Sequence, residues 1–188
     1  MLKSKELIKN SIPESIIVNN DYVKFVSDNT NIKLFYNGKI IEEIVSHGYY
    51  YLAMKIMLNN DISVENINNQ FIKASRCGYP EVIKLLIING AQVQAQNNGA
   101  IIYASFGGHL SAVELLIESG ADIHSQDDKA IIWASDQGHL QVVKLLIALG
   151  ANIHAQNDKA IAYASNRGHL SIVKLLKILV QISGPVII

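Results

Sequence analysis

Apolar residues return along this chain with a helical rhythm. Between Leu140 and Ala148 the apolar positions are Leu140, Val142, Val143, Leu145, Leu146 and Ile147, and only Gln141, Lys144 and Ala148 form a polar or small stripe. So wide an apolar arc needs neighbours on both sides. Just upstream, residues 129–137 predict a short first helix ended by Gly138, whose missing side chain lets the chain turn through a left-handed conformation. A second helix is expected from near His139 until Gly150 stops it, and residues 151–158 read as a loop.

The pattern then recurs. The phrase "ASDQGHLQVVKLL" at 134–146 stands thirty residues after "ASFGGHLSAVELL" and thirty before "ASNRGHLSIVKLL". Four copies follow, at 60–89, 90–119, 120–149 and 150–179; the first keeps Ala74, Ser75, Gly78, Leu85 and Leu86 but has Tyr79 where the others have His. Residues 1–59 are expected to hold degenerate N-terminal capping copies, because Gly48 falls in the column of Gly78, and Val23 and Ala53 in that of Val143. One helix–turn–helix copy cannot bury its own apolar faces, whereas copies stacked side by side can, which predicts an all-α fold. Ala134 and Ser135 are small enough to let adjacent first helices approach closely.

The copy at 150–179 reads as the last. Lys177 replaces the Ile of Ile87, Ile117 and Ile147, on a face where a following copy would bury its charge at high cost. Val180 replaces the stopping glycine, so the final helix should run about one turn longer before Pro185. Residues 180–188 thus form a cap extension with an apolar tail, "VII", expected to fold back on the open end of the stack.

Composition narrows the function. The chain has 188 residues, 49% of them hydrophobic, with zero formal net charge and one cysteine. It is long enough for a sizeable core, and no basic block creates the field that draws proteins to nucleic acid or anionic membrane, so neither is an expected partner. A lone Cys77 forms no internal disulfide, and "MLKSKELIKN" lacks a signal peptide's apolar run; an intracellular setting is expected.

The phrases "GHLQVVKLLIALGANIHAQ" and "GHLSAVELLIESGADIHSQ" resemble the second helix and following loop of the ankyrin repeat, over roughly residues 60–180. The resemblance implies an ankyrin-repeat solenoid of stacked helix–turn–helix units. These copies have 30 residues where the family usually has 33, and read "KAII" or "GAII" where it has T-P-L-H, with the loss around Gln156 to Lys159. Short loops are therefore expected in place of long β-hairpins. Such short copies resemble ankyrin proteins of giant amoeba-infecting viruses of the mimivirus type, which implies the host cytoplasm, with the virion as an alternative location.

Several constellations imitate chemistry. Histidines recur every fifteen residues from His109 through His124, His139 and His154 to His169. They lie on alternating turns and loops without carboxylates or cysteines at ligand spacing, and a structural role at the inter-helix turn is the better reading for His109, His139 and His169. Ser105 with His109, Ser135 with His139 and Ser165 with His169 resemble a nucleophile beside its base. A pair stamped out in every copy is what packing produces, not one assembled site. Gly107 and Gly108 end a helix, whereas a phosphate cradle precedes one. No catalytic residue, metal site or cofactor is expected.

The columns that vary between copies carry the candidate site. They are Phe106, Asp136 and Asn166; Gly107, Gln137 and Arg167; and the turns containing Asp127, Asp128 and Asp158. In the ankyrin family the matching positions form a concave face that grips partner proteins. A further column, Tyr103, Trp133 and Tyr163, is either a space-filling aromatic ladder or an anchor strip for a partner. The expected function is a monomeric, non-enzymatic scaffold binding another protein, of the host in the viral setting. Self-association or a structural virion role is the alternative, and an adaptor role in host ubiquitination ranks below both because no F-box is recognisable.

Overall fold

The computed structural model describes residues 63–182 together with two short strands, β1 (Val26–Asp28) and β2 (Asn31–Lys33). The strands pair antiparallel, Val26 opposite Lys33 and Asp28 opposite Asn31. The helical rhythm gives no hint of them. Val26 and Ile32 are β-branched and only Asn29 and Thr30 separate the strands, the spacing of a tight hairpin. The rest of the expected N-terminal capping copies, and the expected fold-back of the tail at 183–188, lie outside the described residues.

Every other element among the described residues is a helix. The chain divides into two compact units, residues 1–71 with 81–91 and residues 72–80 with 92–188. Helix α1 (Val64–Cys77) crosses the boundary, and α2 (Pro80–Ile88) opens on a proline, which loses no hydrogen bond at a first helical position. In the first unit Ile67, Phe71, Val82, Ile83 and Leu86 are buried. The second unit holds three further helix pairs: α3 (Ala95–Gly107) with α4 (Leu110–Glu118), α5 (Ser125–Gln137) with α6 (Leu140–Ala148), and α7 (Ala155–Asn166) with α8 (Leu170–Ile182).

The pairs stack as the repeat predicts. First helices α3, α5 and α7 lie side by side, and second helices α4, α6 and α8 pack behind them. Alanine makes the close approach of the first helices feasible: Ala100, Ala104, Ala130, Ala134, Ala160 and Ala164 are all buried, with Ser105 and Ser135 beside them. Ile101, Ile131, Val113, Leu116, Val143 and Leu146 fill the space behind, each fully buried. Gln141, Lys144 and Ala148 face solvent as their stripe requires. Helix α8 has 13 residues where α4 and α6 have nine, and Lys177 is exposed. The added turn follows from Val180 standing where glycine would end the helix.

Each first helix ends on a left-handed glycine. At Gly138, φ is +83°, and the N–H of His139 donates to the carbonyl of Ala134 at 2.9 Å, closing the last turn. The histidine of the next copy then covers that glycine. His109 Nε2 donates to the Arg76 carbonyl at 2.9 Å, His139 Nε2 to Phe106 at 2.9 Å, and His169 Nε2 to Asp136 at 2.8 Å. A carbonyl only accepts, so Nε2 carries the proton in each case.

The turn before each of α3, α5 and α7 is unexpected. Gln96-Asn97-Asn98, Gln126-Asp127-Asp128 and Gln156-Asn157-Asp158 each place three successive residues in the left-handed region, with φ between 50° and 60°. This conformation costs roughly 1–2 kcal/mol per ordinary residue, less for Asn and Asp, and persists only where surroundings hold it. Here the neighbouring turn does so. Ser125 Oγ and Gln126 Nε2 donate to the Asn97 carbonyl at 3.0 and 2.9 Å, and Gln156 Nε2 donates to the carbonyls of Gln126 and Asp127 at 3.1 Å. Right-handed helix begins only after this triplet, at 99, 129 and 159.

Candidate partner-binding face

Because α5 turns right-handed at Lys129, the side chains of Lys129, Trp133, Asp136 and Gln137 recur at helical spacing on one stripe. The same register in α3 and α7 sets their equivalents alongside. Trp133 is half-buried and central: its ring meets Tyr103 edge-to-face at 5.6 Å between centroids and Phe106 at 5.4 Å. Lys129 Nζ stands 4.8 Å from the Trp133 centroid, and the Arg76 guanidinium 5.8 Å from that of Tyr103, both within cation–π range. The aromatic column is therefore both a ladder and, because its rings remain partly exposed, a surface.

Beside it lies a polar cluster. Arg167 Nε donates to Asp136 Oδ1 at 3.0 Å across neighbouring copies, and Gln137 Nε2 donates to Asp136 Oδ2 at 2.6 Å. Arg167 is mostly exposed, so this pair contributes little to stability, about 0–1 kcal/mol. Asn166 and Tyr163 are exposed on α7, the last first helix among the described residues. Thus Tyr103, Phe106 and Trp133 come together, as do Asp136, Gln137 and Arg167, while Asp127 and Asp158 project at exposed turns.

Asp128 leaves the set of candidate contacts. It is 5% exposed, and its Oδ1 accepts the Asn152 N–H at 2.8 Å while lying 3.0 Å from His124 Nδ1. The left-handed backbone turns this carboxylate inward toward the next turn, where it acts as a bracket. Asn98 does the same one copy earlier, accepting the Asp122 N–H at 2.9 Å. Asp158 meets no following turn among the described residues and stays exposed, 2.6 Å from His154 Nδ1. The brackets went unseen in the sequence, although the recurrence of Gln followed by two Asn or Asp residues was a turn signal in plain view.

The chemical imitations come apart in three dimensions. Ser105 and Ser135 hydroxyls are buried with no hydrogen-bond partner, and the histidines that follow them donate to backbone carbonyls instead. Among the described residues no three His, Cys, Asp or Glu side chains gather as metal ligands. No described helix is long and apolar enough to cross a membrane. Cys77 is exposed.

No curated protein matches the sequence. A family model described as ankyrin repeats in three copies matches residues 41–127 and again 101–182, together most of the chain. With the thirty-residue rows, the stacked helix pairs and the glycine-ended turns, this match places the chain in the ankyrin repeat family.

Proposed function

We propose that the protein is a non-enzymatic scaffold that holds one partner protein on its first-helix face, centred on Trp133. Ankyrin repeats are generally protein–protein interaction modules. The observation that carries the assignment to this face is the cluster of Tyr103, Phe106 and Trp133, partly exposed and flanked by the Asp136–Arg167 pair, at positions packing leaves free to vary. Large aromatic rings and Arg with a polar rim are the features of binding hot spots. The test is capture of a partner by the wild-type chain and by two double variants of unchanged melting temperature. Asp136→Ala with Arg167→Ala should lose the partner, and Gln141→Ala with Lys144→Ala should keep it. Equal effects would sink the assignment.

A second reading is self-association, favoured by the 77% exposure of Leu170 and 46% of Ile178 on the last helix. Sedimentation over a range of concentrations separates a monomer from a self-assembling component. We also propose a viral setting of the giant amoeba-infecting type, with work inside a host cell or in the virion, on the resemblance of the 30-residue copies alone. An adaptor role in ubiquitination has no residue here to support it.

A further inference from the structure

The geometry points to an acidic partner: an extended protein segment rich in Asp and Glu, lying across the copies beside Trp133. This rests on the reading of the first-helix face as a protein-binding surface and adds the chemistry of what is bound.

A net charge of zero conceals a segregation. In the four columns that face outward from the first helices, the charged residues are Lys73, Arg76, Lys129, Lys159 and Arg167, against the single acid Asp136. The other acids of the described copies are Glu65 in the first turn of α1, Glu81 on α2, Glu114 and Glu118 on α4, and Asp122, Asp127, Asp128 and Asp158 in turns. Asp136 is already paired with Arg167. Among the described residues no carboxylate lies within ion-pair distance of Lys73, Arg76, Lys129 or Lys159. Lys129 and Lys159 instead donate to the neutral Oε1 of Gln126 and Gln156, at 3.0 and 2.9 Å. Lys129 and Arg76 also stand over aromatic rings, which hold the cations in place without cancelling their charge.

These four cations, without a carboxylate partner among the described residues, are Lys73 and Arg76 in the copy at 60–89, Lys129 in that at 120–149 and Lys159 in that at 150–179, with none in the same columns of the copy at 90–119. Lys129 and Lys159 stand in adjacent copies, roughly the 8–10 Å of helix packing apart and about one Debye length at physiological salt, so their charges reinforce each other, while Arg76 is two copies from Lys129. The run from Lys73 to Tyr163 covers three such steps, roughly 25–30 Å, which an extended chain spans in about eight or nine residues. An acidic strand of that length meets the cations with its carboxylates and the partly exposed rings with its apolar atoms.

Single-stranded nucleic acid is also anionic and favours aromatic platforms. It stacks its bases on open rings, whereas Trp133 is already met by Tyr103, Phe106 and Lys129. The occupied ring favours a peptide.

Trp133 is the only tryptophan in the chain, so its emission reports from the middle of the face. The full-length protein is titrated with a glutamate homopeptide of about ten residues, with a lysine homopeptide, and with oligothymidylate of matching length. The expected result is a saturable change with oligoglutamate that weakens at high salt and is absent with oligolysine. Replacing Arg76, Lys129 and Lys159 together by Gln should weaken it about tenfold or more, and Lys73→Gln alone, at an exposed side chain, about two- to threefold. Gln141→Ala with Lys144→Ala should leave it unchanged. No saturable response, an equal response to oligolysine, or tighter binding of oligothymidylate overturns the proposal. Failure of the protein-binding reading itself shows separately, in the Asp136 and Arg167 capture test, whose outcome does not depend on the partner's charge.

Discussion

The imidazole of His139 lies against Gly108 of the preceding copy while its Nε2 donates to the Phe106 carbonyl at 2.9 Å. The glycine is thus required twice over, by its φ of +73° and by the ring that occupies the space a Cβ would need. Gly168 has a φ of +77° but, among the described residues, nothing within 4 Å of the same position, since no histidine covers it there. Gly108→Ala should therefore cost about 2–4 kcal/mol, combining left-handed strain with displacement of the ring. Gly168→Ala should cost about 1 kcal/mol from strain alone. Urea unfolding of the two variants measures the difference; equal midpoints would remove the ring from the account.

Ser105 and Ser135 bury hydroxyls that bond to nothing, an arrangement that costs free energy without return. Their small volume suits the close helix packing and their oxygen does not. Ser105→Ala and Ser135→Ala should each raise stability by about 1 kcal/mol. Ser165 occupies the same column on the exposed side of α7, and Ser165→Ala should change stability by less than about 0.5 kcal/mol. A loss of stability in either buried variant would point to a hydrogen bond that these geometries do not contain.

Asp128 tests the bracket. Asp128→Asn keeps an acceptor for the Asn152 N–H and tolerates a φ of 54°, as Asn98 does at 59°, so it should be close to neutral. Asp128→Ala loses both properties and should cost about 2–4 kcal/mol. Calorimetric melting of the two variants distinguishes acceptor geometry from charge. If Asn were as damaging as Ala, the carboxylate's contact with His124 would be the dominant contribution instead.

How much of this was legible beforehand differs from residue to residue. Gly138 as the end of a first helix, the solvent stripe of Gln141 and Lys144, and the lengthened α8 after Val180 could all be read from single columns, because each depends on local backbone preference or on the period of one helix. The inward Asp128 could not. Whether its carboxylate points to solvent or into the stack depends on the sign of φ at three successive residues, which is held by hydrogen bonds from a turn thirty residues away. Trp133 was recognisable as a column member, but its packing against Phe106 and Tyr103 depends on how closely α3 and α5 approach. The strands Val26–Asp28 and Asn31–Lys33 were not legible, because three-residue strands are too short to stand out against a helical period.

Lys177 is exposed on α8 in the column where Ile117 and Ile147 are half-buried in their own copies, and a lysine there keeps an ammonium in water. Lys177→Ile should move the melting temperature by no more than a degree or two, yet should raise the weight-average sedimentation coefficient at high concentration by exposing a wider apolar surface beside Leu170. An unchanged sedimentation profile would show that this face does not govern association.

The cross-links between copies carry one more implication. His139 to Phe106, Asp128 to Asn152 and Gln156 to Gln126 each join a copy only to the next, and the following copy offers the same donors and acceptors again. A duplicated segment spliced in after Gly120 would meet matching partners on both sides and leave none of those bonds unmade. Tandem duplication can therefore lengthen this molecule without any compensating substitution, which gives a physical reason for neighbouring rows of the sequence to remain so nearly interchangeable.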